Sequence, residues 1–172
     1  YLSMNKREEL NKIVKDSIAQ SIFQIMKIKR FSDITITEIV KKAGVARASF
    51  YRNFAYKEDA VSYYIIEIMK LYKNKFYLSD LRDNYYNLIV GTMRFIFDYK
   101  ENLESLFNSG LSQLLLNAIN TYLLESSTPP VIDKTEKYFL FSYGGSIFNI
   151  IYHWISDGAK ESPEEIASII CK

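Results

Sequence analysis

The chain has 172 residues, room for one large domain or for a small domain fused to a medium one, with a core that needs no covalent staple. One cysteine excludes an internal disulfide and a thiolate zinc site, so a reducing, cytoplasmic compartment is expected, and 48% apolar against 24% charged residues excludes a disordered chain. The net charge of +2 is divided unevenly: residues 1–60 carry 12 Lys and Arg against 7 Asp and Glu, and the rest is mildly acidic, which suggests nucleic acid at one end of the molecule only.

The opening YLSMNKREEL turns polar at once, unlike a secretory signal. Its first residue is not Met; either Met4 is the start behind a short leader, or the numbering opens inside a longer chain. A first helix is expected from Asn5, with Glu8 completing a capping box, to about Lys27–Lys29. Leu10, Ile13, Val14, Ile18, Ile22, Ile25 and Met26 recur along it at helical period. Thr35 and Glu38 make a second capping box ahead of a helix with Ile36, Ile39, Val40 and Ala43 on its buried side. It stops at Gly44, a residue suited to a left-handed C-terminal position. A short third helix, from about Ala46 to Asn53, follows across this tight turn, which is the helix-turn-helix pattern.

A fourth helix is expected from near Lys57 toward Tyr77, then a break at Asp80–Asn84 and a fifth helix over Tyr85–Tyr99. A short sixth is expected to be capped by Asn102 and to end at Gly110, and a seventh to run from Ser112 to about Leu124. Residues 125–130, ESSTPP, read as a loop. A long eighth helix over about Asp133–Ser156 is followed by a ninth after Ser162, with Pro163 at its first position and Glu164 and Glu165 in its first turn. The expected fold is therefore all-α, about nine helices.

Tyr138 to Ser156 carries no charge and reaches the length of a bilayer span of ~17–25 residues. Its Ser142, Gly144, Gly145, Ser146, Asn149 and His153 are a costly set in hydrocarbon, so the central helix of a soluble bundle is the expectation. The Gly144-Gly145-Ser146 strip, with little side chain, suits a subunit contact or tight core packing. An enzyme is not expected: His153 is the only histidine, Cys171 sits next to the last residue, and the acidic residues lack metal-ligand spacing, so no catalytic residue, metal or cofactor is assigned.

Residues 31–59, FSDITITEIVKKAGVARASFYRNFAYKED, resemble the DNA-binding motif of the tetracycline-repressor (TetR) family of bacterial regulators. Phe31, Thr35, Ile36, Ile39, Val40, Ala43, Gly44, Val45, Ser49, Phe50, Tyr51, Phe54, Lys57 and Glu58 fall in the family's register. The segment YFLFSYGGSIFNIIYHWISDGAKESPEEIA is similar to a C-terminal type found in short members from low-G+C Gram-positive bacteria. The resemblance implies a helix-turn-helix DNA-binding domain over 1–56 and a helical ligand-binding and dimerisation domain over 57–172. It implies a homodimer through helices about 133–156 and 163–171, acting on a pseudo-palindromic operator in double-stranded DNA, as a repressor, with a small-molecule effector or partner at the second domain.

Physical chemistry gives each residue of the motif a task. Ile39, Val40, Ala43, Val45, Phe50 and Phe54 are expected to form the small core, Phe50 and Phe54 sharing a face four residues apart. Arg47 can donate two hydrogen bonds to guanine, Ala48 can lie against a thymine methyl, and Ser49 can reach a base or phosphate. Tyr51, Arg52 and Asn53 complete the outward side of the third helix, Thr37 is a further candidate on the second, and Lys57 at the start of the fourth is placed for phosphate. Position 46 is often Ser or Thr in the family and is Ala here; position 56 is usually Ser, Asn or Asp and is Tyr here. A lost N-cap costs about 0.5–2 kcal/mol, so these departures bear on affinity. They mildly favour the rival reading, an interaction protein or co-activator of this fold acting mainly through a protein partner with weak DNA binding, which the intact Arg47, Tyr51 and Lys57 oppose.

In the second domain the sequence offers Tyr86, Phe107, Asn149, Tyr152 and His153 as ligand-binding candidates, because pockets are mostly apolar with a few placed polar groups. For Asn149, Tyr152 and His153 satisfied core or interface positions are the expected reading, and a pocket that reads a polar ligand group is the alternative.

Overall fold

A computed structural model describes residues 6–76, 84–126 and 133–172. Among them the secondary structure is helical throughout: α1 (Lys6–Met26), a 3-10 turn (Phe31–Asp33), α2 (Ile36–Ala43), α3 (Arg47–Asn53), α4 (Lys57–Lys75), α5 (Tyr85–Asp98), α6 (Lys100–Asn108), α7 (Ser112–Ser126), α8 (Lys134–Ser156) and α9 (Pro163–Ile170). The chain divides between Glu67 and Ile68 into two compact units.

The helix ends follow from local chemistry. At the start of α2 the Glu38 amide donates to Thr35 Oγ1 at 3.2 Å and the Thr35 amide donates to Glu38 Oε2 at 2.9 Å, a closed capping box. Ser162 and Glu165 repeat it at α9, with Pro163 in the first turn. Asp133 caps α8 by accepting from the Glu136 amide at 2.8 Å. Gly44 ends α2 at φ +67°, a conformation that glycine adopts without a Cβ penalty.

In the first unit α1 packs on α2 and α3, and α2 on α3. Ile18, Ile22, Ile39, Phe50 and Val61 are completely buried there, with Phe54 centred 5.9 Å from the Phe50 ring and 5.7 Å from Tyr63. Ala43 and Val45, expected in this core, are half-buried. Leu10 and Ile13, expected on the buried stripe of α1, are exposed, because the buried residues of α1 begin at Ile18. A polar clasp joins α1 to α4: Lys12 donates to Glu67 at 2.8 Å and to Asp16 at 3.2 Å, and the Tyr63 hydroxyl donates to Asp16 at 2.7 Å. Burial, then the Asp16 bond, push the Tyr63 hydroxyl up to about 12.

In the second unit α7 packs on α8, α6 on α8, and α5 on α9. Ile89, Met93, Leu106 and Ile151 form its centre. Gly144 is buried against α7: a Cβ there would lie 2.7 Å from Asn120 Oδ1 and 3.0 Å from Leu123 Cδ1. Gly145 has nothing within 4 Å of the corresponding position. Of the two uses expected for the strip, Gly144 serves tight core packing.

Three boundaries differ from expectation. The helix expected to be capped by Asn102 starts at Lys100 after Tyr99, and the Asn102 amide donates to the Tyr99 carbonyl at 3.0 Å inside its first turn. The seventh helix continues to Ser126, so the first two residues of the expected ESSTPP loop are helical. The fourth ends at Lys75. Asn5, Tyr77, residues 80–83 and residues 127–130 lie outside the described residues. Among those described, no helix is long and apolar enough to cross a membrane.

Candidate nucleic-acid interface

The shortness of α2 and α3 and the left-handed Gly44 bring the N-terminal turns of two helices to one surface. Arg47, the first residue of α3, donates from Nη1 to Thr37 Oγ1 at 2.8 Å and from Nη2 to Tyr51 Oη at 3.1 Å. Its guanidinium carbon stands 5.5 Å from the centre of the Tyr51 ring. Thr37, Arg47, Ala48, Tyr51 and Arg52 are all exposed, Tyr51 by 52%. Residues 47, 48, 51 and 52 share one side of α3, and Arg47 links that side to α2.

Ser49 and Asn53 stand further in. Both are half-buried, and Asn53 Nδ2 donates to the Ser49 carbonyl at 2.9 Å. Phe50, on the opposite side of α3, is wholly buried, and its ring meets Tyr51 edge-on with centroids 5.5 Å apart. Lys41, four residues after Thr37 on α2, is exposed and adds a cation to the same helical side; the sequence reading did not single it out.

Lys57 is placed differently from its neighbours in the motif. Its ammonium donates to the carbonyl of Phe31, to that of Ser32 at 3.2 Å and to that of Ile34 at 3.0 Å, and lies 4.4 Å from the centre of the Phe31 ring.

Two further groups, Glu38 and Asp59, shape this surface. Lys29 donates to Glu38 Oε1 at 2.7 Å, and this bond, followed by those from the Thr35 amide and hydroxyl, holds the Glu38 carboxyl down at about 2. Asp59 Oδ2 accepts from the amides of Ala55 at 3.0 Å and Tyr56 at 2.8 Å. Asp59 thus supplies from the third residue of α4 the half of a capping box that reaches back, although position 56 is Tyr. Nothing equivalent caps α3, where Ala46 has no side-chain acceptor.

The ligand candidates of the second unit come together only in part. Phe107 is buried and its ring meets that of Tyr152 at 4.9 Å, with His153 edge-on to Tyr152 at 5.4 Å. Asn149 and His153 are exposed on α8. Tyr86 is exposed on α5, its hydroxyl 3.4 Å from Ser168 Oγ. A separate aromatic group surrounds Tyr72: its ring centre lies 4.8 Å from Phe76, 5.4 Å from Phe95 and 5.4 Å from Tyr122, and its hydroxyl bonds Thr92 at 2.8 Å. Burial pushes the Tyr72 hydroxyl up to about 12. Among the described residues no group of three or more His, Cys, Asp or Glu could hold a metal ion.

Comparison with known proteins places the chain. Residues 77–172, more than half of it, match the TetR-type family model described as the transcriptional regulator C-terminal region. A solved structure from Listeria innocua superposes with a TM-score of 0.77 at 17% identity, over 99% of this chain and 92% of that one. A TetR transcriptional regulator from Rhodococcus sp. RHA1 gives 0.58 at 15% identity, over 95% and 93%. The dihydroxyacetone kinase operon activator DhaS gives 0.58 at 19% identity, over 92% of each chain. At these identities the likeness is one of fold. No curated protein matches the sequence. The family model and the shared fold together establish that the chain belongs to the TetR family of transcriptional regulators.

Proposed function

We propose that the protein is a sequence-specific DNA-binding regulator that works as a homodimer on a pseudo-palindromic operator, in the cytoplasm and without a catalytic step. The observation that carries this is the exposed side shared by Thr37, Arg47, Ala48, Tyr51 and Arg52, with the Arg47 guanidinium held in place by two hydroxyls. A planar fork oriented by its neighbours before contact loses less freedom on binding the O6 and N7 of guanine. The hydroxyls of Thr37 and Tyr51 accept from Arg47 and keep their own protons for phosphate. Ser49 and Asn53, further in, serve the edge of the same contact, and Lys41 and Arg52 serve phosphate.

The outer side of α8 supports the dimer. Ser142, Ser146, Asn149 and His153 are exposed along it, Gly145 opens onto free space, and Tyr138 and Phe139 are each 67% exposed near its start. Small residues between exposed aromatic ones suit the close approach of a second copy, with α9 and its exposed Ile169 beside it. Half-sites about 34–36 Å apart, or a multiple of that, follow from two-fold symmetry. The regulatory sign proposed is repression. An effector or partner at the second unit that favours another separation of the two reading helices lowers operator affinity by its differential affinity for that state.

The test is fluorescence anisotropy on DNA from upstream of the protein's own gene, with scrambled DNA as control, at two salt concentrations. Binding at about 10⁻⁸ M or tighter, with a steep salt slope, is expected for the first DNA only. Equal, weak binding to both overturns the autoregulatory repressor. The second reading, activation through a protein partner, is favoured by the likeness in fold to the operon activator DhaS. Under it a promoter reporter rises, not falls, when the protein is expressed.

A further inference from the structure

Lys57 opens α4, and cations that open a helix beside a DNA-reading unit are natural phosphate ligands. Two observations point elsewhere. An ammonium carries three N–H protons, and three backbone carbonyls, those of Phe31, Ser32 and Ile34, receive them. The Phe31 ring covers the same ammonium. In addition, the amides ahead of α4, which would join Lys57 in holding a phosphate, already donate to the Asp59 carboxylate, and a second negative group there meets repulsion.

We infer that Lys57 is a positioning residue of the reading surface: its ammonium holds the turn Phe31–Ile34 and thereby sets the entry of α2. The inference deepens the DNA-binding reading and rests on it only for its consequence. Ile34, whose carbonyl Lys57 holds, directly precedes Thr35, the cap of α2, and two residues beyond Thr35 lies Thr37, the acceptor of Arg47. One ammonium therefore connects a turn 23–26 residues away to the side chain that reads the base. An ammonium does this where a guanidinium does not, because three donors in a compact tetrahedral head converge on three carbonyls, whereas the guanidinium donors lie in one plane.

The experiment compares the wild-type protein with Lys57→Met and Lys57→Arg. Backbone hydrogen exchange of residues 34–40 is measured without DNA, and operator affinity is measured at several salt concentrations. Faster exchange in both variants is expected, with affinity lower on the order of tenfold and an unchanged slope of log affinity against log salt. Arg should not rescue, since charge alone is not what the turn needs. A slope reduced by about 0.9 per lost phosphate contact, with unchanged exchange and rescue by Arg, overturns the inference. Should the wild-type protein show no specific operator, the DNA reading fails, yet exchange in the variants still decides whether Lys57 holds the turn. Should Lys57→Met not fold, the Lys57 ammonium signal in nitrogen-edited spectra of the wild-type protein decides. Slowly exchanging ammonium protons, unmoved by added DNA, support the turn; a signal absent from the free protein and appearing only with DNA overturns it.

Discussion

Arg47 and Thr37 stand ten residues apart in sequence and are joined by a 2.8 Å hydrogen bond from guanidinium to hydroxyl. The bond crosses the Gly44 turn, so the geometry of the turn and the aim of the Arg47 guanidinium are one problem. Tyr51 closes the other side of the fork at 3.1 Å. Replacing Arg47 by Ala is expected to cost about 1–3 kcal/mol of operator affinity and to relax preference at one base position per half-site. Thr37→Val and Tyr51→Phe leave the guanidinium in place and each loosen one of its tethers, so each costs less. Their effects should be non-additive with that of Arg47→Ala, by about 0.5–3 kcal/mol in a double-mutant cycle read by anisotropy. Additive losses would mean that the hydroxyls meet DNA without regard to Arg47.

Acid should loosen the same unit through Glu38. Its carboxyl is held at about 2, first by the Lys29 bond and then by the Thr35 amide and hydroxyl. A folded-state value below the unfolded one stabilises the fold above the unfolded value, and the contribution is lost as pH falls through the folded one. The window is therefore from about pH 4.5 down to about pH 2. Thermal midpoints of wild type and Glu38→Gln should differ by a constant amount above pH 5 and converge toward pH 2. A difference that persists undiminished at pH 2 would exclude Glu38 as the group responsible.

The start of α4 makes a sharper statement about caps. Tyr56 lacks the side-chain acceptor usual at such a position, but Asp59 accepts from the amides of residues 55 and 56. Asp59→Ala is expected to lower stability by on the order of 1 kcal/mol, seen in urea unfolding followed by circular dichroism. Asp59→Asn, which keeps an acceptor oxygen, should recover about half of that. A larger loss on Ala46→Ser than on Asp59→Ala would reverse the assignment, because serine at position 46 should stabilise α3 by providing the acceptor that alanine lacks.

The caps and Lys57 also show what the sequence makes legible. Thr35 with Glu38, and Ser162 with Glu165, act over three residues, so their boxes and the helix starts could be read directly. Asp59 acts over the same distance and was readable in principle, but attention to the N-cap position alone hides a partner that reaches back from the third residue. Lys57 was not readable: its acceptors are carbonyls 23 to 26 residues earlier, and any residue type could supply them. The outward side of α3 was legible because Phe50 and Phe54 fix which way the helix turns in the core. The same logic fails for Asn149, Tyr152 and His153. On a helix apolar nearly all round, periodicity does not say which side meets α6 and α7, and the structure puts Tyr152 against Phe107 while Asn149 and His153 face outward.

Two adjacent glycines of α8 stand in opposite surroundings. At Gly144 a methyl group would lie 2.7 Å from Asn120 Oδ1 and 3.0 Å from Leu123 Cδ1, so Gly144→Ala should destabilise the subunit by about 1–3 kcal/mol of overpacking. At Gly145 the space is open, and Gly145→Ala should stabilise the helix by up to about 1 kcal/mol in the isolated subunit. A bulkier Gly145→Leu starts from the same open Cβ position and stands on the side where Ser142, Ser146 and Asn149 are exposed. If that side receives a second copy, Gly145→Leu should weaken the dimer at least tenfold in sedimentation equilibrium while leaving the helical circular dichroism unchanged, and operator affinity should fall with it, since two half-sites are no longer held together. A Gly145→Leu protein that remains as strongly dimeric as wild type would move the subunit contact to another surface of the molecule.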